Sequence, residues 1–188
     1  SLDVTAWEAT NIPLHEALRT TPDNPEYLEL MGRLYRWKAY ASREDVTAVR
    51  NADQEALRHF QHALTISPAR PQLWAGVIEV KQALGQYDED MQQAIQVAAE
   101  YGAWLPDVQR VIMQVGTAGW RYLTPESQQA VLGVLKNALG VQPKEVIKLA
   151  IQHDFRKTLL PLIYQDVALM AFYKKELAKT RRSTVGPL

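Results

Sequence analysis

The chain has 188 residues, 47% hydrophobic and 22% charged, with 21 Lys and Arg balanced by 21 Asp and Glu. That length suits one domain with a substantial core, and zero net charge leaves no whole-molecule field to draw nucleic acid, an anionic membrane or acidic substrates. The absence of Cys excludes disulfides, thiolate metal sites and cysteine nucleophiles in either redox compartment, and no apolar run reaches the roughly 20 residues that span a bilayer.

The chain opens Ser1-Leu2 without Met, which leaves room for a removed initiator, signal or anchor segment. From Asp3 to Leu18 the apolar positions Val4, Trp7, Ile12, Leu14 and Leu18 predict a helix interrupted near Pro13, a cap or half repeat. Asn24 before Pro25 is an N-cap with Pro in the first turn, and Tyr27, Leu30, Met31 and Leu34 share one helical face, expected to be core. The polar stretch Ala41 to Asn51 reads as a peripheral insertion, as a loop or as extended helix ends, before Ala56, Phe60 and Ala63 resume an apolar stripe.

The stretch Ala63 to Tyr87 carries the clearest organisation. Pro68 and Pro71 bracket a turn, Trp74, Val77, Ile78 and Lys81 form the next helical stripe, and Gly85 with Tyr87 closes it. Asp88 caps a returning helix with Ala94, Val97 and Gly102. A divergent unit follows: Leu105-Pro106 opens a helix with Val108, Val111, Ile112, Val115 and Gly119. Thr124-Pro125 caps another, with Val131, Leu132, Leu135, Ala138 and Leu139, expected to stop at a left-handed Gly140. Pro143 starts a short helix with Val146, Ile147, Ala150 and Ile151. Pro161 starts or kinks a last one with Ile163, Val167, Met170 and Leu177, expected to close the stack, and Ser183 to Leu188 is expected to fray.

These landmarks, in this order, resemble the tetratricopeptide repeat over Asn24 to Gly102 and more weakly to Gly140. The resemblance implies an all-α fold: a right-handed α-solenoid of TPR-like helical hairpins within a single domain over residues 1–188, with repeats over about 24–140 and closing helices over 141–182. Three segments, Pro22 to Ala39, Tyr101 to Gln109 and Ala118 to Glu126, resemble the VpsP-type proteins of bacterial exopolysaccharide clusters. That second resemblance implies a role in polysaccharide assembly or export, a repeat domain on the periplasmic face, and a tether to the inner membrane that this chain lacks. It brings no catalytic residue.

His59 and His62, three apart on a helix, could ligate a metal but read more simply as a solvated face. Asp88, Glu89 and Asp90 could be paired acids for glycan hydrolysis, yet a helix start makes capping and dipole compensation the simpler reading. Gly116 to Gly119 lacks the Lys-Ser/Thr of a phosphate loop. Trp74 is expected to be buried, leaving Trp7, Trp37, Trp104 and Trp120 as candidates for a sugar-stacking surface. Lys174, Lys175, Lys179, Arg181 and Arg182 form a basic end that complements a helix C-terminus.

The resulting expectation is a non-catalytic scaffold without cofactor or metal, binding a protein partner of a polysaccharide assembly complex. The alternatives are a direct glycan-binding module or a small enzyme acting on envelope polysaccharide. Counting from Pro71, the inner side of its helix presents Gln72, Ala75, Glu79 and Gln82; counting from Asn24, the preceding one presents Pro25, Leu28, Gly32 and Tyr35. The candidate partner groove is therefore Leu28, Tyr35, Gln72, Glu79 and Gln82, small and largely neutral, and without the Lys and Asn that capture an acidic C-terminus.

Overall fold

The computed structural model describes the backbone of residues 4–184, with side chains described for Trp7 and for residues 9–180. Among these residues there are ten α-helices, one 3-10 turn and no strand: α1 Val4–Thr20, α2 Pro25–Ala41, α3 Val46–Ile66, α4 Pro71–Ala83, α5 Glu89–Gly102, α6 Pro106–Ala118, the 3-10 turn Trp120–Tyr122, α7 Pro125–Val141, α8 Pro143–Gln152, α9 Arg156–Ile163 and α10 Val167–Thr184.

Local chemistry fixes most of these boundaries. Proline, whose missing amide costs nothing in a first turn, opens α2, α4, α6, α7 and α8. Asn24 Oδ1 accepts the Glu26 and Tyr27 amides at 2.9 and 3.2 Å, Asp45 caps α3, Asp88 caps α5, Thr124 caps α7, and Asp166 Oδ1 accepts the Leu169 amide at 2.9 Å. At the end of α4, Gly85 has φ +71°. The Gln86 amide donates to Lys81 O at 2.8 Å and the Gly85 amide to Gln82 O at 3.0 Å, the paired bonds of a Schellman stop. The same motif ends α8 with Asp154 in the left-handed position, φ +52°, and the Phe155 amide on Ala150 O at 2.7 Å.

Packing follows chain order. α2 lies on α3, α4 on α5 and α6 on α7, while α2, α4, α6 and α8 touch in succession and α5 meets α7. One core cluster runs from Leu28 in α2 to Tyr173 in α10. A smaller one, Leu14, Met31 and Leu34, joins α1 to α2 and shares Leu18 and Tyr35 with the first. Phe60 of α3 fills a notch made by two glycines: a Cβ on Gly32 would fall 2.8 Å from its ring, and one on Gly76 2.7 Å.

Several expectations need correction. α1 runs through Pro13 and leaves Ile12 exposed. In α2 it is Leu28 that enters the core and Leu30 that faces solvent, because the buried face must serve both α1 and α3. The polar insertion, by contrast, takes the second of its two expected forms, extended helix ends: Asp45 starts α3 early, and Ala52 and Asp53 just beyond the insertion are buried. Gly140 stays helical inside α7, which ends at Val141 with Gln142 as its C-cap. Pro161 lies within α9, the break falls at Asp166, and Val167 is exposed while Tyr173 reaches the core. Of the expected frayed tail, Ser183 and Thr184 continue α10 and the rest lies outside the described residues.

Candidate functional site

Helix α4 presents two working faces. Gln72, Ala75, Gly76 and Glu79, spaced three and four apart, look into a cleft of about 230 Å³ that Arg33 and Arg36 of α2, Phe60, and Asp107 and Arg110 of α6 complete. Trp74 and Val77 project to the other side of the same helix.

The first cleft is braced by charge. Arg36 pairs with Asp53, which is 1% exposed, so the α2–α3 hairpin carries a carboxylate that must keep its partner. Glu29 accepts from Arg33 at 2.8 Å and from Arg70, just before α4, at 2.9 Å, tying α2 to the next hairpin. Arg110 stands 4.0 Å from Asp107. Glu79 has no hydrogen-bond or ion-pair partner among the described residues, leaving a free acceptor among guanidinium donors.

Of the five groove residues expected from sequence, the structure brings Gln72 and Glu79 into this cleft. Leu28 is in the core at 3% exposure. Tyr35 is held between Trp7, edge-on at 5.9 Å, and His59, stacked at 5.5 Å. Gln82 is half-buried and does not line the cleft. The expectation of a neutral lining is also corrected, since Arg33, Arg36 and Arg110 went unrecognised. The signal was the proline. α2 and α4 both have proline as first helical residue, so counting α2 from Asn24 slips the register by one and turns the helix by about 100°. Counted from Pro25, the positions matching Gln72, Ala75, Glu79 and Gln82 are Glu26, Glu29, Arg33 and Arg36; from Pro106, the first two are Asp107 and Arg110.

On the other face, Trp74 lines a cleft of about 410 Å³ with Gln61, Thr65, Asp90 and Gln93. It is half-buried rather than buried, and its indole N–H donates to Pro68 O at 2.7 Å. Gln93 also borders a second cleft of about 670 Å³, lined by Tyr87, Glu89, Gln96, Tyr122 and Glu126. There Gln92 acts structurally: its amide donates to Tyr87 O and Tyr122 O and its carbonyl accepts from the Thr124 amide. Tyr122 lies between Tyr87, 4.8 Å away, and the Arg121 guanidinium, 4.6 Å away.

The other singled-out residues take structural posts. No family model, curated protein or solved structure matches the chain. Asp88 and Asp90 both serve Lys81, whose side chain is 3% exposed and whose ammonium lies 2.8 Å from each Asp88 oxygen and 3.2 Å from Asp90. Burial raises the Asp88 carboxyl, but the Lys81 and Met91 hydrogen bonds outweigh it and hold the carboxyl below its ordinary value. His59 and His62 do not converge on one point: His59 stacks on Tyr35, while His62 Nε2 lies 3.1 Å from Asp23. Burial, then His15, Arg58 and His62, push His59 down to about 4, so it stays neutral well below pH 6.5, on a half-buried rather than a solvated face. Trp120 packs edge-on to Phe155, Trp7 and Trp37 pack at α1–α2, and Trp104 is 70% exposed. In the basic end, Lys174, Lys175 and Lys179 lie exposed on α10, and the side chains of Arg181 and Arg182 fall outside the described residues. No described helix is long and apolar enough to cross a membrane.

Proposed function

We propose that the chain is a non-catalytic scaffold, a right-handed solenoid of TPR-type hairpins in which α2, α4 and α6 line a groove for an extended segment of a protein partner. The observation that carries this reading is the convergence of equivalent positions of three successive first helices on one cleft. Its chemistry suits a main chain: guanidiniums and Gln72 donate to carbonyls, Glu79 accepts from an amide or a basic side chain, and Ala75 and Gly76 leave room for close approach. The pathway, bacterial exopolysaccharide biosynthesis or export, and the place, the periplasmic face of the inner membrane, rest on the resemblance of Pro22 to Ala39, Tyr101 to Gln109 and Ala118 to Glu126 to VpsP-type proteins.

Photo-crosslinking residues placed at Gln72 or Glu79 in the native cells test the reading. Crosslinks to a defined polypeptide from these two positions, and not from exposed Gly133 on α7, are the expected result. Crosslinks from Gly133 alone would remove the groove from the account.

A further inference from the structure

The cleft at Trp74 and the second cleft, which it meets at Gln93, have a consistent chemistry. Every charged residue lining them is an acid: Asp88, Glu89, Asp90 and Glu126. Phosphates, nucleotides, acidic peptides and uronic acids are disfavoured on that count.

The ring that matters is Trp74. Its N–H bond to Pro68 O fixes its orientation, it packs partly against the core, and no other ring or cation covers it among the described residues. Tyr122, by contrast, is already flanked by Tyr87 and Arg121. Beside Trp74 stand the side-chain amides of Gln61 and Gln93, both exposed and neither engaged in the fold. An amide donates and accepts at once, as a sugar hydroxyl does, and an indole face matches the C–H face of a sugar ring. A basic side chain would instead need a free carboxylate at the ring. The one there, Asp90, is already held by Lys81 at 3.2 Å. Past Gln93 the second cleft continues with the carboxylates of Glu89 and Glu126, which accept hydroxyl or ammonium hydrogens.

We propose that these clefts, meeting at Gln93, form one extended saccharide site: a neutral or amine-bearing sugar ring lies on Trp74 and the chain runs on toward Glu126. The site shares no residue with the groove on the opposite face of α4. A scaffold built this way holds a polypeptide on one side and a glycan on the other.

The test titrates the folded chain with four probes: a β-1,4-linked glucose hexamer, a glucosamine hexamer, a galacturonate hexamer and hexalysine. The readouts are the Trp74 indole N–H resonance, assigned through Trp74→Phe, and calorimetry. The glucose or glucosamine hexamer is expected to shift that resonance. Gln93→Ala and Gln61→Ala, both at exposed positions that leave the fold intact, are expected to weaken binding by about tenfold, the loss of one good contact. Arg110→Ala, in the groove, is expected to leave it unchanged. The proposal is overturned if neither sugar moves the Trp74 signal at about 10 mM, weaker than any useful affinity. Tighter binding of galacturonate or hexalysine, or unchanged affinity in Gln93→Ala, overturns it as well.

Discussion

Replacing Asp88 separates a helix cap from a buried ion pair, because the one carboxylate performs both tasks. It accepts the Met91 amide at 3.1 Å as the N-cap of α5, and both its oxygens lie 2.8 Å from the buried Lys81 ammonium. Removing one partner of a buried pair costs about 3–5 kcal/mol. Here Asp90 remains at 3.2 Å and Asp88 itself is 49% exposed, so solvent screening and the second acid bring the loss to about 2 kcal/mol. Asp88→Asn, which keeps a good capping oxygen, is expected to cost that amount. Asp88→Ala loses the cap as well, about 1 kcal/mol more. Lys81→Met, which removes the buried charge and keeps the volume, is expected to stay within about 1 kcal/mol of the parent. Urea unfolding with an unchanged slope measures all three. The sign with pH follows from the depressed carboxyl: its stabilisation is present above the ordinary value of 3.8 and is lost as pH falls through the folded value, a limb that Lys81→Met should shrink. A Lys81→Met variant as damaged as Asp88→Ala, or an Asp88→Asn variant as stable as the parent, would refute the reasoning.

Further outcomes follow from other positions. Gly76→Ala should destabilise by about 1–3 kcal/mol despite better helix propensity, because the new Cβ meets Phe60, whereas Gly133→Ala in α7, with open space around it, should gain about 0.5–1 kcal/mol. Thermal denaturation of the pair checks the sign reversal. Neutral His59 predicts stability that is full above pH 6.5 and falls as pH drops toward 4, when only the unfolded chain takes up the proton; in His59→Phe the acid-side slope of the unfolding midpoint should flatten. Asp154→Gly should stabilise by about 0.5–1 kcal/mol by relieving a left-handed non-glycine residue, measured by guanidinium unfolding.

The all-helical character was legible because its signals are local: proline in first turns, Asn24, Asp88 and Thr124 as caps, and Gly85 as a left-handed stop all act within a few residues. Errors arose where tertiary contacts decide. Gly140 needed no left-handed stop because α7 continues to a Gln142 whose amide bonds Ala138 O. Leu30 and Leu28 are both apolar, and which one turns inward depends on where α1 and α3 lie. The groove was half legible. Gln72 and Glu79 followed from a correct start at Pro71, while the one-residue slip at Asn24 exchanged Arg33 and Arg36 for Gly32 and Tyr35. The Trp74 cleft was hidden by the expectation that Trp74 is buried, although a large ring can pack one side and present the other.

The groove itself is tested most directly by calorimetry of the partner segment recovered by crosslinking, against Gln72→Ala/Glu79→Ala and against Glu126→Ala on α7, which lines a separate cleft. The account predicts a loss of about tenfold or more in the groove variant, as expected for two lost polar contacts, and no change for Glu126→Ala. Full affinity in the groove variant together with a loss in Glu126→Ala would contradict it.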